Sequence, residues 1–264
     1  GSRGFGQGMA YYARYNNVAP TVANSGQGFG WQVPSWPTMQ ASGWAGADVM
    51  FQNMSGNMEY MKSGTTAGSY TALFGNRNIL SKDLATNELK LQAPDGTVTI
   101  FNPTTGGTNP GLMKTQTSPG GVEKTITGAF GPNQTMETIQ KFTETVASVT
   151  TISEESFLQS FDGNGTLSSV IRRKRTNGGA WVNIENVEYN YYDGTTSFGS
   201  LRDLRVGTTR TWDSASSSFV APKATMYRYY KAGVETSIGF EHGLKYVISP
   251  ATWQKIIDDG KDPG

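Results

Sequence analysis

The segment Tyr189–Gly194, Y-N-Y-Y-D-G, constrains this chain more than any other stretch. It recurs in altered form as Y-R-Y-Y-K-A-G at Tyr227–Gly233, and more weakly as F-L-Q-S-F-D-G-N-G at Phe157–Gly165. Each copy is an aromatic-rich run that ends in a glycine-containing turn and is followed by a second β-rich run. The copies lie roughly 30 to 40 residues apart, a spacing that signals an array of hairpins. Strands require alternation, and a tight turn requires a residue that tolerates positive φ. Tyr189, Tyr191, Tyr192, Asp193 and Gly194 are therefore repeat-defining residues, as are Tyr227, Tyr229, Tyr230 and Gly233. Alternation puts Tyr189 and Tyr191 on one face and Tyr192 on the other. Tyr227 and Tyr229 likewise oppose Tyr230. Successive hairpins can then stack their tyrosines as ladders, each cross-strand pair contributing about 0.2–1 kcal/mol.

Composition supports the same fold class. The 264 residues include 33 glycines and only 16% charged residues, which suits a turn-rich β protein. The expectation is an all-β chain of antiparallel hairpins forming an elongated twisted sheet or partial shell, with one short C-terminal helix. That helix is placed at Pro250–Asp258, with Pro250 in the first turn and Gly260 beyond the end. Hairpins are expected at Leu89–Phe101 around Pro94-Asp95-Gly96 and at Leu112–Thr127 around Ser118-Pro119-Gly120-Gly121. In the first of these, Leu89, Leu91, Val98 and Ile100 alternate with polar positions. Residues Val49–Phe51 and Met58–Met61 read as strands around Ser55-Gly56-Asn57. The threonine-rich stretch 137–157 reads as strand rather than helix. Residues 1–128 form an N-terminal Gly/aromatic-rich region and 129–264 the repeat region, which also read as one continuous domain.

Several functions are excluded or disfavoured. The net charge of +1 lacks the basic excess of a nucleic-acid-binding face. No cysteine is present, so disulfides and thiolate metal sites are excluded. No apolar run reaches the roughly 20 residues of a membrane helix. His242 is the single histidine, so any Ser-His-Asp apparatus would have to use it. Its place just before Gly243-Leu244 favours a structural role. Glu154–Glu155 cannot share a substrate if they lie on a strand, and Asp258–Asp259 reads as a solvated helix end. Asp162-Gly-Asn164-Gly-Thr166 offers calcium-loop oxygens, but Arg173 stands where the twelfth, acidic ligand belongs. A hairpin turn explains the run better. Arg172-Arg173-Lys174-Arg175 reads as a charged strand guarded against edge pairing. Trp31, Trp36 and Trp44 read as rings plugging one end of the β core; the alternative is an aromatic platform for a glycan. No catalytic residue, cofactor or metal is expected.

The double-tyrosine units resemble the YD-repeat (Rhs-type) family of large bacterial secreted or cell-surface proteins, in its divergent double-tyrosine branch. The closing segment H-G-L-K-Y-V-I-S-P-A-T-W-Q-K-I at His242–Ile256 is similar to that branch as well. So are G-F-G-W-Q-V-P-S-W-P at Gly28–Pro37 and L-Q-A-P-D-G-T-V-T-I-F at Leu91–Phe101. The resemblance implies a non-enzymatic structural shell or scaffold, secreted or at the cell surface. Its partners would be further repeats of the same protein, or surface and matrix components. The alternative reading is a carbohydrate-binding or adhesion module using Trp and Tyr platforms.

Overall fold

The computed structural model describes residues 14–15, 31–32, 37–41, 48–52, 58–73, 77–231, 233 and 239–261. These residues are antiparallel β structure with one short helix. Two brief strands, β1 (Arg14–Tyr15) and β2 (Trp31–Gln32), pair with each other. A four-stranded sheet follows: β3 (Thr38–Ala41), β4 (Val49–Gln52), β5 (Met58–Ser63) and β6 (Tyr70–Ala72). The twelve-stranded sheet begins with β7 (Ile79–Lys82), β8 (Leu89–Gln92), β9 (Val98–Phe101), β10 (Met113–Thr117) and β11 (Glu123–Gly128). It continues through longer strands: β12 (Thr135–Val146), β13 (Val149–Phe161), β14 (Leu167–Thr176), β15 (Val182–Tyr191), β16 (Leu204–Asp213) and β17 (Ser218–Tyr229). It closes with the short β18 (Leu244–Ile248).

Every strand of the large sheet pairs with its sequence neighbours, so the sheet is an uninterrupted meander. Its end strands, β7 and β18, do not pair with each other, and no barrel closes. Twelve strands about 4.8 Å apart make a sheet about 50 Å across. The sheet crosses residues 128–129 without a break, because Gly128 pairs with Met136.

The core lies where the two larger sheets meet. Met39, Val49, Phe51 and Met61 of the small sheet pack against Leu80, Leu89, Leu91, Phe101 and Met113 of the large one. Phe51 and Phe101 meet edge to face at 5.7 Å. Backbone also joins the sheets: the Met39 N–H donates to Gly111 O and the Met113 N–H to Pro37 O. Gly111 has φ 69°, and a side chain there would run into the Met39 carbonyl, so only glycine fits.

The Leu89–Phe101 hairpin forms, but its inward face differs from the sequence reading. Leu89 pairs with Phe101 and Leu91 with Thr99, and these four are buried. Val98 and Ile100 take the opposite face. The turn sets the register: Ala93 pairs back to Thr97, and the Asp95 side chain accepts the Thr97 N–H. In a strand a one-residue offset turns every side chain over. The connection between β12 and β13 holds a second difference. It is a two-residue turn through Ala147 (φ 48°) and Ser148 (φ 65°), so left-handed geometry is imposed on residues that do not favour it. The turn at 53–57 lies outside the described residues.

The basic run also departs from its reading. Its strand, β14, is internal, paired on both sides by β13 and β15, so it guards no edge. Arg172 pairs with Glu155, Arg173 with Glu137 and Arg175 with Glu154. Arg173 and Arg175 both lie over the Trp181 ring. The charges are thus matched across the sheet by acids that sit opposite only after pairing.

The helix α1 (Pro250–Asp258) starts as expected. Ser249 accepts the Thr252 N–H, Pro250 occupies the first turn, and Gly260 follows at φ 70°. No helix among the described residues is long and apolar enough to cross a membrane.

Candidate functional site: the junction between repeat units

In the longer strands most side chains are only half-covered on either face, and burial gathers at one end of the sheet. Phe157, Phe161, Leu167, Val170, Leu204, Met226, Tyr192 and Tyr229 lie there. This end carries the double tyrosines and the loops that follow them.

The three sequence copies share one backbone signature. Pairing slips by one residue at Phe161↔Leu167, at Tyr191↔Leu204 and at Tyr229↔Leu244. The two tyrosine copies go further and repeat a whole loop. Tyr192 N–H donates to Asp203 O, and Tyr192 O accepts the Arg202 N–H. In the later copy Tyr230 N–H donates to Gly243 O, and Tyr230 O accepts the His242 N–H. Arg202 and His242 hold equivalent left-handed positions, with φ 70° and 66°. Gly199 lies against the Tyr192 ring and Gly239 against the Tyr230 ring, each so close that a Cβ would penetrate the ring.

The paired tyrosines of the earlier unit reach in opposite directions along the sheet. Tyr191 donates its hydroxyl to Leu167 O, 2.8 Å away at the start of β14. Tyr192 donates to Tyr227 O, 2.9 Å away on β17, and its ring meets Tyr229 edge to face at 6.5 Å. Tyr192 is 3% exposed. Tyr191 does not stand on an outer surface either; burial raises its phenol well above the usual range. Burial does the same for Tyr189, with Tyr227 nearby adding to the effect, and for Tyr227 itself. The pair is therefore a clamp on the strands before and after it, rather than one interior and one outer ring.

The turn residues have separate tasks. Asp193 Oδ1 accepts both the N–H and the hydroxyl of Thr195, which holds its carboxyl below the usual range. Gly194 and Gly233 take φ 84° and 77°. Lys231 crosses from the later loop to the earlier one and donates to Gly194 O and Thr196 O. Arg228 lies 3.9 Å over the Phe198 ring, and Phe198 O accepts the Tyr229 N–H.

A polar cluster completes the junction. Asp203 is fully buried; its Oδ1 lies 2.9 Å from His242 Nδ1 and its Oδ2 accepts the Ser200 N–H. Burial raises the Asp203 carboxyl, and the His242 contact opposes that rise. Ser200 Oγ donates to Glu241 Oε1 at 2.8 Å, and that oxygen lies 3.9 Å from His242 Nε2. The elements of a Ser-His-Asp set are thus close together, but the serine hydroxyl donates to Glu241. Ser200 and Asp203 come from the β15–β16 loop, Glu241 and His242 from the β17–β18 loop. What the arrangement does is fasten one loop to the next.

Asp162 serves its own turn: Oδ1 accepts the N–H groups of Asn164 and Thr166. Among the described residues no three His, Cys, Asp or Glu side chains converge as a metal site would require. Trp31 lies in β2, while Trp36 and Trp44 fall outside the described residues. Sequence reasoning overlooked Gly199, Ser200, Asp203, Lys231 and Gly239. A signal was present: F-G-S-L-R-D-L and I-G-F-E-H-G-L share a Gly-x4-Leu spacing after each double tyrosine.

This packing has a direct consequence. Gly199→Ala should lower stability by about 1–3 kcal/mol, the usual cost of overfilling a packed site. Thermal melts of Gly199→Ala and of Gly207→Ala, where only one Tyr189 ring atom comes within 4 Å, make the comparison. Equal melting temperatures for the two would show that the Tyr192 ring yields freely.

Comparison of the chain with protein-family models, curated proteins and solved structures finds no match.

Proposed function

We propose that the chain is a non-enzymatic structural module: a stack of interlocked hairpin units from a secreted or cell-surface protein of the YD-repeat kind. The observation that carries this reading is the junction itself. The chain's one histidine, the buried Asp203 and the hydroxyls of Tyr191 and Tyr192 are all engaged in fastening one unit to the next. Many small contacts of this sort stabilise a sheet whose faces are otherwise only half-covered. The work assigned to the module is to hold an extended surface in shape.

Antibody labelling of intact producer cells and of their culture medium tests the assignment. The expected result is signal at the surface or in the medium without permeabilisation. Signal found only after lysis would sink the secreted-scaffold reading. A glycan array run on the purified chain separates the adhesion alternative. Retention of a defined glycan, lost on replacing Trp31, Trp36 or Trp44, would install that alternative instead.

A further inference from the structure

We propose that Lys124 on β11 and Gln140 on β12 condense into an isopeptide bond, with Glu155 on β13 carrying the proton. A covalent amide would then tie neighbouring strands in the middle of the large sheet. The chain has no cysteine, so no disulfide can do this.

The pairing register brings the three residues together. Lys124 stands directly opposite Gln140, and Gln140 directly opposite Glu155. Directly opposite residues share a face, with their Cβ atoms about 4.5–5.5 Å apart. A lysine stem is long enough to cross such a gap to a glutamine carboxamide. Two residues along on the same face, Ile126 and Thr138 pair with each other, and both are buried.

The state of each group suits the reaction. Gln140 is 1% exposed, and neither polar atom of its carboxamide has a hydrogen-bond partner. Native proteins rarely leave a buried polar group unpaired, and one that is unpaired calls for a reason. Lys124 is half-buried, and its amine has no hydrogen bond or ion pair among the described residues. Burial holds its ammonium below the usual lysine range, which increases the share of nucleophilic free amine. Glu155 is buried and fixed by Arg172, whose Nε lies 2.5 Å from Oε1. A carboxylate beside the amide can take a proton from the attacking nitrogen and return it to the departing one. Gln159 supplies the contrast. It too is fully buried and unpaired, but it stands opposite Met136 and Val170, and neither is a nucleophile. Only Gln140 has an amine on one side and a carboxylate on the other.

The step balances without a co-reactant. The Lys124 Nζ lone pair attacks Gln140 Cδ, and Glu155 takes the proton that the amine sheds. The Cδ–Nε2 bond breaks, Nε2 receives that proton, and ammonia leaves. One C–N bond replaces another, and nothing is oxidised or reduced. Fixing the two groups in one register supplies the proximity that a reaction between separate molecules would lack.

Intact-mass spectrometry of the folded full chain, followed by tryptic mapping, tests the proposal. The chain should weigh less than its sequence by one ammonia. Trypsin should fail to cut after Lys124, and the loss should lie in the peptide Thr115–Lys141. Lys124→Arg, Gln140→Leu and Glu155→Gln should each restore the full sequence mass, whereas Gln159→Leu should remain light. Should a variant fail to fold, the parent mass and the map still decide. A parent chain at full sequence mass would overturn the proposal. So would a loss that persists in Lys124→Arg or in Glu155→Gln. A loss mapping to Asn164-Gly165 or Asn177-Gly178 would overturn it as well, since succinimide formation there also expels ammonia.

Discussion

Tyr192→Ala is expected to destabilise the fold by about 3–5 kcal/mol, the range for truncating a buried aromatic side chain. For a chain of this size that corresponds to a fall in melting temperature of about 6–20 °C. Three losses combine: the buried ring, its edge contact with Tyr229, and the hydroxyl bond to Tyr227 O. The Gly199 backbone, closely fitted to the ring, would border the resulting cavity. Tyr192→Phe isolates the hydroxyl and should cost about 1 kcal/mol. Tyr191→Ala should also destabilise, because its hydroxyl serves Leu167 O in the preceding hairpin. Calorimetry on the three variants is the measurement. A Tyr192→Ala melt indistinguishable from the parent would mean that the junction does not hold the units together.

Alkaline titration should separate the buried tyrosines from the rest. Tyr70, Tyr189, Tyr191, Tyr192 and Tyr227 all have phenols raised above the ordinary value of 10.0, chiefly by burial. In the unfolded chain the same groups ionise near that ordinary value. The folded state therefore prefers the neutral phenol, and its stabilising effect is fully present below about pH 10 and lost as pH rises toward the folded values. With Tyr189 and Tyr191 alone, stability should fall by about 2.7 kcal/mol per pH unit in that window. Phenolate absorbance should show the exposed tyrosines ionising first. A second group should then ionise together with loss of the β circular-dichroism signal. A single smooth titration of all 12 tyrosines near pH 10, with the fold intact, would contradict the described burial.

Circular dichroism near neutral pH offers a simpler check on the whole architecture. The spectrum should be dominated by antiparallel β structure, with the short C-terminal helix contributing little. A helical fraction near the roughly one third usual in globular proteins would be incompatible with it.

The hairpin array was legible because its signals are local. Asp-Gly and Gly-Gly turns between alternating runs located β8–β9 and β10–β11. The threonines between Thr135 and Thr151 marked β12 and β13 as strands. Pro250 and Gly260 bounded the helix. These features depend on backbone preferences that each residue carries with it. The Ala147–Ser148 turn escaped because neither residue prefers positive φ; pairing of the flanking strands imposes it.

Residues alone determined that this chain is antiparallel β, where its repeat lies, and that its double tyrosines matter. Tertiary structure decided what those tyrosines do. Adjacent side chains on an ideal strand point to opposite faces, but the register slip at Tyr191 redirects the pair along the sheet, one ring backward and one forward. Such a slip arises from how two strands meet, which no single segment encodes. The same holds for charge. Arg172–Arg175 looked like a guarded edge because the acids that neutralise it lie 17 to 36 residues earlier in the chain. His242 and Asp203 stand 39 residues apart, and only stacking of two hairpins brings them to 2.9 Å. Turn chemistry is a property of neighbours in sequence, whereas a junction is a property of neighbours in space, fixed by long-range pairing and burial.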